Sequence, residues 1–127
     1  MFHPRITSFF IIINIYHSLI HNLYLMSSLQ TIVLASSIIY HHNLISNFRN
    51  YDIMITCSVI LHHFHTYFHY ATSRYDSAPA LFYILAISSY SLGVKYKCDY
   101  MHGYLHIFGV IANVLLNKCI IMNSSYE

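Results

Sequence analysis

Eleven histidines among 127 residues are the chemistry-bearing feature of this chain. Imidazole is the commonest metal ligand in proteins. Three pairs stand four residues apart: His17/His21, His65/His69 and His102/His106. On a helix, positions i and i+4 share one face, so both rings of a pair reach one point. A histidine-rich chain produces such pairs by chance, so each is judged by what surrounds it. The C-terminal pair has the best surroundings. His41 follows Ser37 by one helical turn in Ser37-Ile-Ile-Tyr-His41, and Asp52 stands eleven residues later. Three neutral imidazoles, from His41, His102 and His106, leave the fourth position of a tetrahedral zinc open to water, as a catalytic zinc requires. Asp52 and Ser37 are the candidates to hydrogen-bond that water or orient a ligand, as outer-shell groups do.

Whether these residues meet depends on the elements that carry them. Hydrophobic residues make up 57% of the chain and charged residues 8%, against about 25% charged in an average globular protein. So few charges cannot cover a soluble domain of this size. The charges are also clustered, leaving open stretches between Arg5 and Arg49, Asp52 and Arg74, Asp76 and Lys95, and Asp99 and Lys118. A membrane span needs roughly 20 mostly apolar residues. The last three gaps each fit one such helix, and the first fits two joined by a turn. The expected fold is therefore all-α: a single transmembrane domain over residues 1–127, with about five helices near 6–21, 27–42, 52–70, 78–95 and 100–121. Pro79 suits the first turn of the fourth helix, where its missing N–H costs nothing.

The same composition excludes other classes. Net charge is +2 and no basic run exists, so nucleic-acid binding has no electrostatic footprint. Cys57, Cys98 and Cys119 are odd in number and scattered, which implies no disulfide framework. The N-terminal apolar run after Arg5 lacks a small-residue cleavage site and reads as the first span, not a leader. Tryptophan is absent, so tyrosines near the helix ends, among them Tyr16, Tyr24, Tyr51, Tyr96 and Tyr100, supply any aromatic belt.

Five spans place Arg5, Arg49, Lys95 and Lys97 at one end of the bundle, and Arg74 and Lys118 at the other. The excess of Lys and Arg makes the first end, with the N-terminus, the cytoplasmic one. His41, Asp52, His102 and His106 fall at that end, with Ser37 one turn inward. The competing reading is that these polar residues simply meet interfacial water. A second group, His17, His21, His62, His63, His65 and His69, falls at the far end. Asp52 and His65 are roughly 20 Å apart at 1.5 Å per residue, so the groups cannot share an ion. The second group reads either as interfacial histidines or as ligands for another metal or a haem.

The order Ser37-x-x-x-His41, then Asp52, then His102-x-x-x-His106 resembles the membrane-hydrolase superfamily of alkaline ceramidases, progestin and adipoQ receptors and haemolysin-III-like proteins. The resemblance covers the second, third and last helices. It implies zinc on His41, His102 and His106, with Asp52 and Ser37 beside the open position, and hydrolysis of a ceramide-like lipid amide. That family has seven helices, so five would make this chain a reduced relative. Losing two helices preserves parity, and the motif residues stay at one end. The expected partners are membrane lipids, a lipid substrate, and a second copy that completes the substrate enclosure. The alternatives are a non-catalytic multi-pass protein with a structural or vestigial metal site, and a haem or copper subunit using the second histidine group.

Overall fold

Two sharp reversals set the topology, and each is written in local sequence. A computed structural model describes residues 4–42, 45, 47–71 and 77–124. The first helical rod, α1, joins Pro4–Thr7, a tighter turn Ser8–Phe10 and Ile11–Ile20 without a break in helical backbone. The other helices are α2 (Tyr24–His41), α3 (Arg49–Ala71), α4 (Ala78–Tyr96) and α5 (Asp99–Ser124). At the end of α1, Asn22 takes a left-handed conformation (φ 59°). The N–H groups of Asn22 and Leu23 then close onto the carbonyls of Leu19 and Ser18 at 3.0 and 2.9 Å. Asparagine tolerates that conformation, and the paired bonds satisfy carbonyls that the helix end leaves open. The α4–α5 reversal uses the same device. Lys97 is left-handed (φ 51°) and the Cys98 N–H reaches the Gly93 carbonyl at 2.9 Å.

The α4–α5 hairpin depends on Gly93. A Cβ there would stand 3.1 Å from the Met101 Cβ and 3.2 Å from the Cys98 carbonyl oxygen. The missing side chain lets the end of α4 lie directly against the start of α5, which carries His102. Around this hairpin, α5 is the hub. It packs along α4 and also against α1 and α3, while α2 lies against α1 and α3. Contact between α3 and α4 is sparse, leaving a seam on that side.

The distribution of polarity is inverted relative to a water-soluble bundle. Among the described residues, 14 buried side chains are polar or charged and 12 are hydrophobic. Outside, 26 large hydrophobic side chains are exposed, including Ile12, Ile13, Leu25, Leu61, Phe68 and Leu81. The buried polar groups fall on helical stripes: Thr7, Asn14 and Ser18 on α1, and His106, Asn113 and Asn117 on α5. Many pair across helices. Tyr83 donates its hydroxyl proton to the Asn113 side-chain oxygen, and Asn117 donates to Ser18 at 2.8 Å.

The expected all-α fold with five helices is observed, and every expected span lies on a helix. Boundaries differ by a few residues. α3 begins at Arg49, not at 52, so Asp52 lies inside its first turn. α2 begins at Tyr24, not 27. Among the described residues, only α4 and the Tyr100–Ser124 part of α5 are long and apolar enough to cross a membrane by length and composition, and half of the most apolar stretch of that α5 part is buried in the bundle. α1 falls short by length, its longest α-helical part being Ile11–Ile20, and the other two by polar content: α2 carries Ser27, Gln30, Ser36 and Ser37, and α3 carries Asp52, His62, His63, His65 and His69. The three cysteines are free, as expected. Arg74 and Asp76 lie outside the described residues.

Gly93→Val is expected to destabilise the protein by about 1–3 kcal/mol, the usual cost of overpacking a close contact. Denaturant unfolding in a lipid-mimetic bilayer or micelle measures it, and Gly93→Ala should fall between the variant and wild type.

Candidate metal centre

The end of α2 and the start of α5 bring three imidazoles together. His41 is the last residue of α2. Its backbone carbonyl, one of those a helix end leaves open, accepts a 2.8 Å hydrogen bond from the Arg5 Nε. A guanidinium at this place also complements the negative end of the helix dipole. Arg5 thereby ties the start of α1 to the turn that carries His41. On α5, His102 and His106 stack one turn apart, with ring centroids 5.3 Å apart and planes inclined by 22°. The His41 ring meets both edge-on, with centroids 4.8 Å from His102 and 5.6 Å from His106.

The ring nitrogens converge on one point. One nitrogen from each of the three residues lies within 4.8 Å of the others. The Nε2 atoms of His41 and His106 are 3.5 Å apart. Zn–N bonds of about 2.0–2.1 Å in a tetrahedron place neighbouring nitrogens about 3.3 Å apart. The His41–His106 pair is within a few tenths of an ångström of that spacing, and side-chain rotation of His102 is needed to draw a group spread over 4.8 Å onto one ion. His106 is buried, while His41 and His102 are half-buried, which leaves an approach to the open side. This is the one group of three or more potential ligands so arranged among the described residues.

Aromatic rings wall the group. Tyr90 stands edge-on to His102 with centroids 5.3 Å apart, and Tyr40 stacks at 6.2 Å. A cleft of about 200 Å³ reaches His102 from the end of the bundle, with Arg49, Tyr40, Tyr90 and Lys97 on its walls. A second, narrower cleft of about 80 Å³ lies along the sparse α3–α4 seam. Asp52 and His102 both line it, and Ile53, Ile60, Ile87 and Leu105 make it apolar.

Asp52 is 3% exposed and its environment is specific. One carboxylate oxygen accepts from the Ser36 hydroxyl at 2.7 Å and from the Ser37 hydroxyl at 3.2 Å. A buried carboxylate is costly without such partners. Two adjacent serines on α2 thus hold the acid of α3 at the depth of the triad. The structure groups His41, His102 and His106, places Asp52 on one cleft with His102, and gives Ser37 a hydrogen bond to Asp52. Ser36 makes the shorter of the two serine bonds. The i, i+4 relation to His41 favoured Ser37. The adjacency of two serines opposite an acid in the next helix was the available signal for Ser36.

The far-end histidines do not gather in the same way. The His17 and His21 rings lie 4.8 Å apart with planes inclined by 56°, and His17 Nδ1 contacts the Asn117 amide nitrogen at 3.3 Å. His63 is buried and contacts Gln30 at 3.4 Å. His65 and His69 are exposed. The i+4 spacing puts each pair on one helix face, but the third ligand that closed the first site is not supplied here among the described residues.

Comparison of the chain with protein-family profiles, with curated proteins and with solved structures finds no match. The site therefore stands on its own geometry, which defines a three-histidine group able to hold a metal ion.

Titration with Co²⁺ in place of Zn²⁺ is expected to give the intense visible absorption of a tetrahedral site with about one ion per chain. His106→Ala and His102→Ala should each abolish it. Because protons compete with the metal for the imidazoles, acidification should release the ion and return to neutral pH should restore it.

Proposed function

We propose that the protein is a zinc-dependent integral membrane hydrolase acting on a lipid amide, of the ceramidase-like kind that the motif order implies. The observation that carries this reading is the convergence of His41, His102 and His106, with the serine-held Asp52 and His102 lining one cleft. Three neutral histidines with an open fourth position are the ligand set of a catalytic zinc, and a structural zinc is normally closed by four protein ligands. Zinc held there supplies Lewis acidity, which activates water at neutral pH and polarises an acyl carbonyl.

The chain's own residues then have distinct tasks. Asp52 accepts a proton during attack and returns it to the leaving amine. Ser36 and Ser37 hold its carboxylate in place while it does so. The α3–α4 seam gives an acyl chain an apolar path towards His102, and the wider cleft beside Arg49 and Lys97 suits a polar headgroup. The inverted polarity supports a bilayer setting, because a polar interior inside an apolar shell buries its hydrogen-bonding groups from lipid and not from water. The charged end bearing Arg5, Arg49, Lys95 and Lys97 is the cytoplasmic one on this reading.

A second reading is a non-catalytic membrane protein that keeps the metal for structure. The small cleft at Asp52 favours it, since about 80 Å³ is well below the roughly 300–1,000 Å³ of ordinary ligand pockets. One experiment separates the two. Zinc-loaded protein in nanodiscs is incubated with a fluorescent N-acyl sphingoid base, and the freed fatty acid is measured. Hydrolysis is expected, with Asp52→Asn lowering kcat by about 10²–10⁴-fold and leaving zinc content near one per chain. Zinc retained without hydrolysis by wild type selects the non-catalytic reading.

A further inference from the structure

Two clefts meet at His102, and their walls differ in kind. The narrow one along the α3–α4 seam is mainly apolar. The wider one, of about 200 Å³, opens at the end of the bundle and is mainly polar. Ile53, Tyr90 and His102 wall both. A molecule lying in the two together passes His102, with one part in an apolar slot and the other in the wider cleft.

The charge in the wider cleft is one-sided. Arg49, which opens α3, and Lys97, at the α4–α5 reversal, line it, and no carboxylate does so among the described residues. Asp52 lines the narrow cleft instead, where Ser36 and Ser37 hold its carboxylate. The Arg49 side chain reaches the Tyr90 hydroxyl, and the Tyr90 ring stands edge-on to His102. That contact keeps the guanidinium beside the cleft. Lys97 is placed there against local preference. It takes the left-handed position that ends α4 (φ 51°), which glycine or asparagine usually fills. Lys95 differs: its ammonium lies over the Tyr96 ring, 5.3 Å from the centroid, and it is not on the cleft wall.

Two cations without a facing carboxylate call for an anion. A phosphate monoester carries about −1.5 to −2 charges at pH 7 and three acceptor oxygens. It matches a guanidinium fork and an ammonium together, with the Tyr40 and Tyr90 hydroxyls as further donors. The cleft has room for it, since one water needs only about 10–15 Å³ of such space. The apolar slot that starts from the same walls selects an amphiphile over a free ion.

We propose that the wider cleft is a phosphate site for the headgroup of an anionic lipid, so that the substrate is an N-acyl lipid bearing phosphate and not a neutral one. Arg49 and Lys97 hold the phosphate, and the acyl chain follows the α3–α4 seam. Its role as substrate rests on the hydrolase reading above. The binding of its phosphate does not.

The test reads binding and turnover separately. Full-length protein in uncharged maltoside micelles, with zinc added, is titrated with a fluorescent N-acyl sphingoid base and with its 1-phosphate. Wild type should bind the 1-phosphate about 10-fold more tightly, the scale of one hydrogen bond to a charged group. Arg49→Gln and Lys97→Asn should each remove most of that preference. Both positions are exposed, asparagine tolerates the left-handed backbone, and an unchanged thermal unfolding midpoint shows that the variants fold. Lys95→Gln removes the same charge from the same end and should keep the preference. Equal affinity of wild type for the two lipids overturns the proposal. So does a loss with Lys95→Gln as large as with Lys97→Asn, which marks a general surface field. A preference that survives both cleft variants puts the phosphate on the metal and also overturns it. Inorganic phosphate should displace the fluorescent 1-phosphate only at roughly 100-fold higher concentration than the unlabelled lipid, because it lacks the apolar chain. Equal potency assigns the cleft to free phosphate and overturns the lipid assignment. Fatty acid freed from both lipids is followed in parallel. If neither is cleaved while the cleft variants lose the preference, the hydrolase reading fails and the phosphate site stands. If the neutral lipid alone is cleaved, the hydrolase reading stands and the proposal falls.

Discussion

A buried polar group left without a partner costs about 1–3 kcal/mol, and this bundle encloses fourteen polar side chains. That constraint governs how the helices face one another. Ser36 and Ser37 meet Asp52, Tyr83 meets Asn113, Asn117 meets Ser18, and Gln30 meets His63. Each of these pairs joins two helices, so satisfying the polar groups also sets helix rotation and relative height. The apolar clusters around Leu116 and around Val110 fill the space between these pairs. Interhelical hydrogen bonds and close packing together fix how the helices meet.

The three-histidine group is a consequence of the same arrangement. His41 sits at the last turn of α2, and the Asp52–serine contact locks α2 to α3 one turn away. His102 and His106 sit at the first turns of α5, whose start is pressed against α4 at Gly93. The Arg5 cap then joins α1 to the His41 turn. Three imidazoles from two helices are thus positioned by contacts with the other three. A site built on helix ends that are capped and cross-linked holds its geometry better than one on loops. An outer cleft lined by Arg49 and Lys97 reaches His102, and a smaller, mainly apolar cavity borders His106 on the other side.

Much of this was legible in the one-dimensional pattern. Charge-free stretches located the helices to within a few residues, because charged positions lie at or near the starts of α1, α3 and α5 and the end of α4, while the uncharged α1–α2 turn was inferred from the length of the Arg5–Arg49 gap. Parity then put Arg5, His41, Asp52 and His102 at one end, which the Arg5–His41 bond and the shared Asp52–His102 cleft bear out. The i, i+4 spacing of His102 and His106 is a property of the helix itself. The number of spans was less legible. Among the described residues, α4 and part of α5 are long and apolar enough to cross a membrane, while α1 is too short and polar residues lower the mean hydropathy of α2 and α3.

The sequence by itself determined that the protein is helical, where its chain reverses, and which polar residues share a depth, because these follow from local periodicity and from the order of charges. Only the tertiary structure decided which of those residues touch. Depth does not fix rotation about a helix axis. Hence spacing could not say that Ser36 as well as Ser37 would reach Asp52, that His41 would come within 3.5 Å of His106, or that His17 and His63 would be taken by Asn117 and Gln30. Those outcomes depend on how five helices rotate to satisfy their buried polar groups together, which is a property of the packed bundle and not of any segment of it.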